Sequence, residues 1–547
     1  MPADESGNGR DLTAERTQLR RRLAELNAKD RLEVLLRAPN AAELVRSLPA
    51  EDLYAAAVDV GLADSTELVQ LSSPEQFRAF VDLGAWAKDR FDAHRAITWL
   101  RAARGDDPGE FLGKVHELDL EVLQLLLRET TRIQDREEQP DPDPSRVNVE
   151  TPDGRYFIEL LVEGAELSAI RALLTELIAE DPFQASRLLE ATRWELASEL
   201  EEAAYKFRQA RLADLGFPPL EQAKSVFAFV EPGPPAAPST GSAAELAIPR
   251  VDYLAAAIRG MAPDELEQLE EQLRSLGNWV LVAEGVEPGD TRAARDIAEA
   301  VRDYLSLGFE HLCGADSTRA PAVVRQLGLR RIFQIGFSLT LKLKFRADRL
   351  ARRPLFRLEG AFLVFPSEDN VLSALRRHRP LRALAVEGAE PVPFRTLAEL
   401  RSAEDAVARA EQQHAFLSAF LGGTLPAAVE ALKNFQLPLD ELGIDRLLAA
   451  IVAHALLDGL LLIAPVEADR LPELLGKLTG GGSTALPEAL EKVLSVLEPR
   501  APAEARGELR RQANQTLASL AAEMGAAVRV GETKALAHLP VRGASGP

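Results

Sequence analysis

Apolar residues recur at intervals of three and four along most of this chain, in short runs that proline and glycine interrupt. Leu19, Leu23 and Leu26 follow this spacing, and the segment Leu397–Leu539 shows it again between breaks at glycine and proline. Such intervals place apolar side chains on one face of a helix, so each run predicts a short amphipathic helix. The sequence therefore predicts an all-α chain, built as a multi-domain helical bundle or as an irregular solenoid of short helices.

Several of these runs open with the same signal, a proline near the first helical position followed by acidic residues. It occurs at Leu48–Leu53, at Leu71–Phe77 and at Met261–Leu266. Proline lacks an N–H that would be unsatisfied at a helix start, and carboxylates there face the positive end of the helix dipole. Pro49 and Pro74 are 25 residues apart, a spacing that hints at a stacked helical-hairpin repeat and leaves an irregular bundle equally open.

Two segments depart from helical periodicity. The turn signal Pro152–Gly154 lies between two short extended runs and predicts a small β-hairpin near residues 146–161. Residues 332–346 alternate apolar and polar side chains as a strand does, yet Ile332, Phe333 and Gly336 also lie on a helical stripe. Because the surrounding stretch contains no proline after Pro321 and before Pro354, we predict a helix there, with a strand as the alternative.

At about 100 to 200 residues per domain, a chain of 547 residues predicts three or four domains. The clearest boundary is the segment rich in proline, glycine and serine that begins at Glu231. The expected segments are a tail at 1–11, an N-terminal helical domain at 12–133, an acidic proline-rich connection at 134–155, a helical segment at 156–230 packing on the N-terminal domain, a flexible linker or loop at 231–249, a basic helical domain at 250–395, a C-terminal helical domain at 396–540 and a tail at 541–547.

Composition narrows the class of protein. The net charge of −21 disfavours general binding to nucleic acid or to an anionic membrane. Cys313 is the single cysteine, which fits a reducing compartment, and the charged N-terminus lacks the apolar core of a secretory signal. The most apolar stretch, Ala449–Val466, is interrupted by His454 and Asp458, so its pieces are too short to span a bilayer. We expect a cytoplasmic protein without membrane insertion.

Positive charge is concentrated in one block. Residues 319–382 hold fifteen Arg and Lys against four acids, which makes this stretch +11 and the remainder of the chain −32. A block of one sign indicates a partner of the other sign, which is the chain itself, an acidic protein or a polyanion. The arginines chosen as candidate anion or partner contacts are Arg330, Arg331, Arg352 and Arg353. The acids offered as internal partners are Glu195, Glu199, Glu201, Glu202, Asp264, Glu265, Glu267, Glu270 and Glu271.

Catalytic signatures are absent from the sequence: it contains no phosphate-binding loop, dinucleotide fingerprint, nucleophile elbow or HExxH motif. His454 and Asp458 are four residues apart, so on a helix the carboxylate can orient the imidazole as in a general base, or simply satisfy a partly buried histidine. His311 and Cys313, two apart, point to different helix faces and make a poor metal pair. We expect neither cofactor nor metal, and His454 with Asp458 is the weak catalytic candidate.

Three short motifs carry a resemblance to known proteins. They are Trp86–Asp92 with the nearby Trp99, Leu305–Glu310, and Phe333–Leu339. In these motifs the chain, over roughly 19–464 without the proline-rich insert, resembles a family of large, mostly helical bacterial proteins grouped only as a domain of unknown function. The resemblance implies a helical cytoplasmic protein and no activity. The N-terminal third is also similar to the cytoplasmic helical domains of magnesium transporters, through its Leu-Pro-x-Glu-Asp-Leu helix start.

These observations together favour a non-catalytic protein–protein interaction or scaffold protein. The alternatives are an enzyme with a site near His454 and Asp458, or a regulatory module that binds a polyanion through residues 319–382. The partner's identity and the oligomeric state stay open at this point.

Overall fold

The computed structural model describes residues 28–87, 89–138, 145–236, 252–286, 290–358, 361–386, 388–435, 442–480, 485–530 and 536–543. Over these residues the chain forms helices joined by short loops, with a few short strands, which confirms the expected mainly-α fold. It divides into two compact units. The first comprises Met1–Phe227 with Asp264–Val301, and the second Ala228–Pro263 with Arg302–Pro547.

The described helices are, in chain order, α1 (Ala28–Leu36), α2 (Ala41–Arg46), α3 (Ala50–Val60), α4 (Thr66–Leu71), α5 (Pro74–Gly84), α6 (Ala93–Ala103), α7 (Pro108–His116), α8 (Leu120–Thr130), α9 (Gly164–Glu180), α10 (Pro182–Trp194), α11 (Ala197–Asp214), α12 (Leu220–Ala223), α13 (Tyr253–Arg259), α14 (Pro263–Glu284), α15 (Thr291–Cys313), α16 (Ala320–Ala351), α17 (Pro366–Leu375), α18 (Leu397–Phe420), α19 (Leu425–Leu432), α20 (Ile444–Asp458), α21 (Leu471–Thr479), α22 (Ala485–Leu497) and α23 (Arg506–Val530). The short strands are β1 (Trp86–Ala87), β2 (Arg90–Phe91), β3 (Thr131–Asp135), β4 (Asn148–Glu150), β5 (Tyr156–Leu160), β6 (Arg357–Leu358), β7 (Ala361–Phe362), β8 (Val466–Glu467) and β9 (Val541–Arg542).

The proline-marked helix starts are confirmed. Pro49 is the N-cap of α3, Pro74 opens α5, and Pro263 opens α14. At α5 the Ser73 hydroxyl accepts a hydrogen bond from the Gln76 amide at 3.2 Å, and the Gln76 side chain accepts one from the Ser73 amide at 2.9 Å. This reciprocal capping box satisfies two backbone donors at the helix start.

The predicted β-hairpin is present as β4 and β5, where Val149 lies opposite Ile158. β5 also pairs with β3 on its other side, so the hairpin is part of a three-stranded antiparallel sheet. The sheet goes beyond the expected hairpin because β3, at 131–135, begins inside the segment assigned to the N-terminal helices. Residues 139–144 of the expected acidic connection lie outside the described residues.

The division into units departs from the expected segments in one main respect. Residues 264–301, expected to belong to a basic domain at 250–395, belong to the first unit. Arg274 forms an ion pair with Glu51 at 3.8 Å, and Arg295 forms one with Asp59 at 3.0 Å. Composition does not reveal this assignment because it depends on which helix face is buried, and not on overall charge.

The expected linker at 231–249 and the expected tail at 541–547 are each described only in part. Of the expected linker, residues 231–236 are described, and Lys342 pairs with Glu231 at 2.6 Å while the Ala236 amide donates to the His311 carbonyl at 2.9 Å. Residues 237–249 lie outside the described residues, as does the expected tail at 1–11. In the expected C-terminal tail, residues 541–542 form β9, which pairs in parallel with β8 to make a two-stranded sheet.

An arginine joins three helices in the core of the first unit. The Arg211 guanidinium on α11 donates two hydrogen bonds to Asp82 of α5, at 2.7 and 2.9 Å, and two to Asp119, at 3.0 and 2.6 Å. Asp119 is the N-cap of α8. Burial is the largest influence on the Asp82 carboxyl and raises its pKa, which the Arg211 hydrogen bonds oppose.

Two buried tryptophans anchor helix packing in the first unit. Trp99 is buried and stacks on Tyr54 with ring centroids 5.3 Å apart, and it meets Phe80 at 5.4 Å. Trp86 is buried against the edge of Phe91 at 5.5 Å. These aromatic contacts tie α3, α5 and α6 together.

The most apolar stretch of the sequence forms α20, the centre of the second unit. Its side chains are buried from Leu447 to Leu457, because α22 and α23 pack against it. In the part of the chain that the structure describes, no single helix is both long and apolar enough to cross a membrane; one bent pair, Leu397–Phe420 with Leu425–Phe435 at 73°, meets these criteria when its two helices are taken together.

The ambiguous segment 332–346 is helical, as predicted, and forms the middle of α16. It crosses α15 at two glycines that lie face to face. A Cβ built on Gly336 would overlap the Tyr304 carbonyl oxygen, and one built on Gly308 would overlap the Ile332 carbonyl oxygen. The alternation of apolar residues resembles a strand because α16 is buried on more than one side, so its pattern is wider than a single stripe.

Replacement of either glycine with alanine is expected to destabilise the second unit. Gly308→Ala or Gly336→Ala forces the two backbones apart, at a cost of about 1–3 kcal/mol typical of overpacking. The four tryptophans of the chain, Trp86, Trp99, Trp194 and Trp279, all belong to the first unit. We therefore expect faster amide hydrogen exchange in α15 and α16 with an unchanged tryptophan-monitored unfolding transition.

The matched control is Gly476→Ala in α21, where a Cβ meets open space. It should leave exchange unchanged or slow it slightly, since alanine favours the helix by about 1 kcal/mol. Equal exchange in the Gly308→Ala and Gly476→Ala variants would contradict the close helix contact.

Candidate functional site

His454 and Asp458, the catalytic candidates from the sequence, do share one face of α20. The His454 Nδ1 lies 2.9 Å from an Asp458 carboxylate oxygen, and its Nε2 lies 3.2 Å from the Ala464 carbonyl oxygen. Arg470 binds the other oxygen of Asp458 at 3.0 Å. The His454 hydrogen bond is the largest cause of the lowered pKa of Asp458. Both ring nitrogens are thus engaged, which is the geometry of a buried histidine satisfied by its neighbours.

The other residues considered for chemistry are also held by structural contacts. The buried His311 has its Nε2 3.2 Å from the Gly233 carbonyl oxygen. Burial is the largest cause of the raised pKa of the Cys313 thiol. Among the described residues, no three His, Cys, Asp or Glu side chains form a group that could hold a metal ion.

The four candidate arginines fall into two separate pairs. All four are exposed, with Arg330 and Arg331 in the middle of α16 and Arg352 and Arg353 just beyond its end. At a rise of 1.5 Å per residue, Arg331 and Arg352 are about 30 Å apart along the continuous helix, which exceeds three Debye lengths at physiological salt. The fold therefore does not gather them into one anion site.

Much of the remaining positive block is neutralised within the second unit. The ion pairs are Lys342 with Glu231, Lys344 with Asp348, Arg346 with Glu404 and Glu411, Arg376 with Asp348, Arg377 with Glu390, and Arg382 with Glu399. These are not the acids offered by the sequence analysis. Glu202 instead pairs with Lys206 on its own helix, and Glu271 with Arg274, because side chains three and four residues apart on a helix are neighbours.

The described part of the second unit contains an open groove. It has a volume of about 1170 Å³ and lies between α17, the first half of α18 and the loop residues 382–386 and 388–391. Small side chains form the wall on α18, where Ala398, Ser402 and Ala406 are four residues apart and so share one face. Arg382 and Val392 form an antiparallel bridge that closes the base of the loop.

Charged side chains flank this wall of small residues. The Arg409 Nε donates to Glu368 at 2.9 Å, and Glu368 is only 3% exposed. Near the start of α18, Arg382 pairs with Glu399 at 3.2 Å. Glu399 also accepts from the Thr396 amide at 3.2 Å in a capping box, so the same carboxylate starts the helix and holds the loop.

Sequence reasoning missed this groove, although one signal was present. Ala398, Ser402 and Ala406 recur at intervals of four on this helix, and none of the three has a large apolar side chain. Such a stripe on a helix face leaves room against a neighbour. The loop and α17, which complete the groove, carry no motif that marks them.

A buried histidine, His414, lies on α18, the helix whose first half forms one wall of the groove. His414 stacks on Phe356 at 6.4 Å, and its Nδ1 lies 3.4 Å from the Ser418 hydroxyl. Its Nε2 is buried without a hydrogen-bond partner in the described structure. Burial, assisted by the charge of Arg353, lowers the pKa of His414 to about 4.

This lowered pKa predicts that the second unit loses stability in acid. Above pH 6.5 the His414 ring is neutral in both the folded and the unfolded chain, and as the pH falls toward 4 the unfolded chain takes up the proton first. The free energy of unfolding should fall across this window by on the order of 3 kcal/mol. Hydrogen exchange of α18 between pH 7 and pH 4.5 measures the loss, with rates corrected for intrinsic exchange.

The variant His414→Phe removes the titrating group and keeps an aromatic ring against Phe356, so its stability should depend less on pH over this window. His378→Gln replaces an exposed histidine of the same unit and should retain the full dependence. If His414→Phe retains it as well, another group is responsible for the acid sensitivity.

Comparison with known proteins identifies the family and nothing beyond it. Residues 10–536 match the model of the family of unknown function DUF6178, a longer span than the motifs indicate and one that includes the proline-rich insert. Comparison with curated proteins and with solved structures gives no significant match, so the likeness to magnesium transporters is not shown. The match covers nearly the whole sequence, and the chain therefore belongs to the DUF6178 family.

Proposed function

We propose that the second unit binds an extended segment of a partner protein in the groove between α17, α18 and the loop residues 382–386 and 388–391, which makes the chain a non-catalytic interaction protein of the cytoplasm. The open groove of about 1170 Å³ carries this proposal. Pockets for small molecules enclose roughly 300–1,000 Å³ and surround most of the ligand. A larger, open groove suits a chain segment that enters and leaves along its length.

The lining supports a peptide over a small metabolite. Apolar side chains of the loop, among them Leu384, Val386 and Pro391, line the groove together with the small residues of α18. Val386 is 68% exposed, and water around such a side chain is released when a partner covers it. Ion pairs at both ends of the wall provide polar contacts that fix the position of a bound segment.

The enzymatic alternative has less support. His454 donates or accepts at both ring nitrogens within the fold, and Asp458 is shared with Arg470. A general base needs one nitrogen directed at a substrate proton. The described contacts leave His454 in a supporting role within α20.

Site-specific photo-crosslinking in cells tests the groove. A benzophenone amino acid at Ser402, which lines the groove, should yield a reproducible adduct with one segment of one partner. Ala398→Trp, at an exposed position of the same wall, should remove the adduct by filling the groove. Mass spectrometry of the adduct identifies the segment.

The matched control places the same crosslinker at Arg401, which is exposed and is not among the residues that line the groove. It should give no such adduct. The proposal fails if Ser402 gives no specific adduct, or if the adduct persists when Ala398→Trp fills the groove.

A polyanion is the second candidate ligand, favoured by one observation. Arg349, Arg352 and Arg353 are exposed near the end of α16, and their side chains form no ion pair with the described residues. Positions three and four apart share a helix face, so the three form a small positive patch. Such a patch can attract a phosphate backbone or a sulfated sugar.

Charge reversal at these three positions tests the polyanion. Arg349→Glu with Arg352→Glu and Arg353→Glu should abolish heparin binding in fluorescence anisotropy, with little change in the thermal midpoint. The wild-type affinity should fall steeply between 50 and 200 mM salt, by about tenfold or more. Reversal of the exposed Arg401 is the control. Absence of wild-type heparin binding at 50 mM salt would exclude this candidate.

A further inference from the structure

Two of the glutamates that line the groove, Glu368 and Glu399, have almost no hydrogen-bonding capacity left for a ligand. Glu368 is buried, with one oxygen bound to Arg409 at 2.9 Å and the other to the Ser367 hydroxyl at 2.6 Å. Glu399 accepts from the Arg395 and Thr396 amides at 2.6 and 3.2 Å on one oxygen. Its other oxygen faces Arg382 at 3.2 Å. Both carboxylates are therefore occupied by the fold itself.

The arginines that line the groove retain most of their hydrogen-bond donors. A guanidinium has five N–H donors. Arg409 uses its Nε on Glu368, and Arg382 contacts Glu399 through one terminal nitrogen. Arg377 lies 3.9 Å from Glu390, beyond hydrogen-bond distance. The side chains of Arg377, Arg382 and Arg409 are 52%, 34% and 38% exposed.

The formal charges of the described residues that line the groove therefore cancel, but the groove presents free N–H donors to a ligand. Among the described residues, three arginines and three glutamates line it, yet most of the spare polar groups belong to the arginines. Glu390 is the exception, because it is 90% exposed on the loop and its ion pair with Arg377, at 3.9 Å, is too long for a hydrogen bond. An exposed carboxylate in water opposes an incoming anion only weakly.

We infer that the extended segment bound in this groove is acidic, with carboxylates that pair with Arg377, Arg382 and Arg409. This inference rests on the proposed function and names its ligand class. Glu399, the partner of Arg382, and Arg409 are ten residues apart on α18, a distance of about 15 Å. An extended strand covers that distance in about four or five residues. The segment therefore carries a short apolar stretch flanked by Asp or Glu.

Selection from a random nonapeptide library tests the inference. The library is displayed on phage, panned against the full-length protein, and counter-selected on the Ala398→Trp variant, which fills the groove. Enriched peptides should contain acidic residues on both sides of an apolar stretch. Fluorescence anisotropy of the best peptide then measures affinity with all of its acidic residues intact or changed to the neutral amides.

Neutralising the peptide's carboxylates should weaken binding about tenfold, as expected for loss of a few exposed charge pairs. Arg377→Gln and Arg382→Gln should each weaken the acidic peptide and leave the amide peptide unchanged. Arg401→Gln, outside the groove, is the matched control. The peptide-side change requires no alteration of the protein, so a folding defect cannot account for the result.

Two different failures are distinguishable. If peptides enrich on the groove but lack acidic residues, or if the amide peptide binds as tightly as the acidic one, the acidic ligand is wrong and the groove still binds a segment. If no peptide prefers the wild type over Ala398→Trp, both the acidic ligand and the proposed function are wrong. Displacement of the peptide by equimolar succinate would show a small dicarboxylate site and would overturn the inference.

Discussion

The contact between Gly308 and Gly336 supports the organisation of the second unit. Two helix backbones can touch only where neither residue has a Cβ, and here each glycine faces a carbonyl oxygen of the opposite helix. The contact brings Tyr304 edge-on to the rings of Phe333 and Phe337, both at 5.3 Å. The crossing thus fixes the direction of α16.

The direction of α16 in turn positions the walls of the groove. Its last turns contact α17 through Lys344, which donates to the Arg376 carbonyl at 2.7 Å. Arg346 reaches α18 by binding Glu404 and Glu411, each at 3.0 Å. On α18, the buried Gln413 accepts from the Phe365 amide at 3.2 Å and donates to Glu508 at 2.8 Å. Buried polar groups with satisfied partners make such a site rigid.

The distribution of charge shows how sequence totals can mislead. An excess of eleven positive charges in residues 319–382 indicated an acidic partner, either within the chain or outside it, without saying which. In the fold, acids from α18 and neighbouring segments neutralise several of these side chains, and the four selected arginines lie in two distant pairs. The electrostatic property relevant to the groove is hydrogen-bonding capacity, since two of its three glutamates are already engaged while its arginines retain free donors.

The sequence by itself determined the secondary structure and the helix starts. Apolar spacing, proline positions and the Pro-Asp-Gly turn depend on contacts within a few residues, so they predicted the helices, the β4–β5 hairpin and the helical state of 332–346. The His454–Asp458 contact was also predictable because it lies within one helical turn. The motifs around Gly308 and Gly336 carried the resemblance to the family. The sequence did not show why glycine stands at these two positions, which is that two helix backbones touch there.

Tertiary structure alone decided the division into units, the partners of the basic side chains and the groove. Residues 264–301 join the first unit through pairs such as Arg295 with Asp59, which are more than 200 residues apart in the chain. The groove requires α17, α18 and a loop to meet, and its small residues matter only because nothing from those neighbours fills the space beside them. Such features depend on which surfaces come together over long sequence separations, whereas local patterns report only which surface each helix buries.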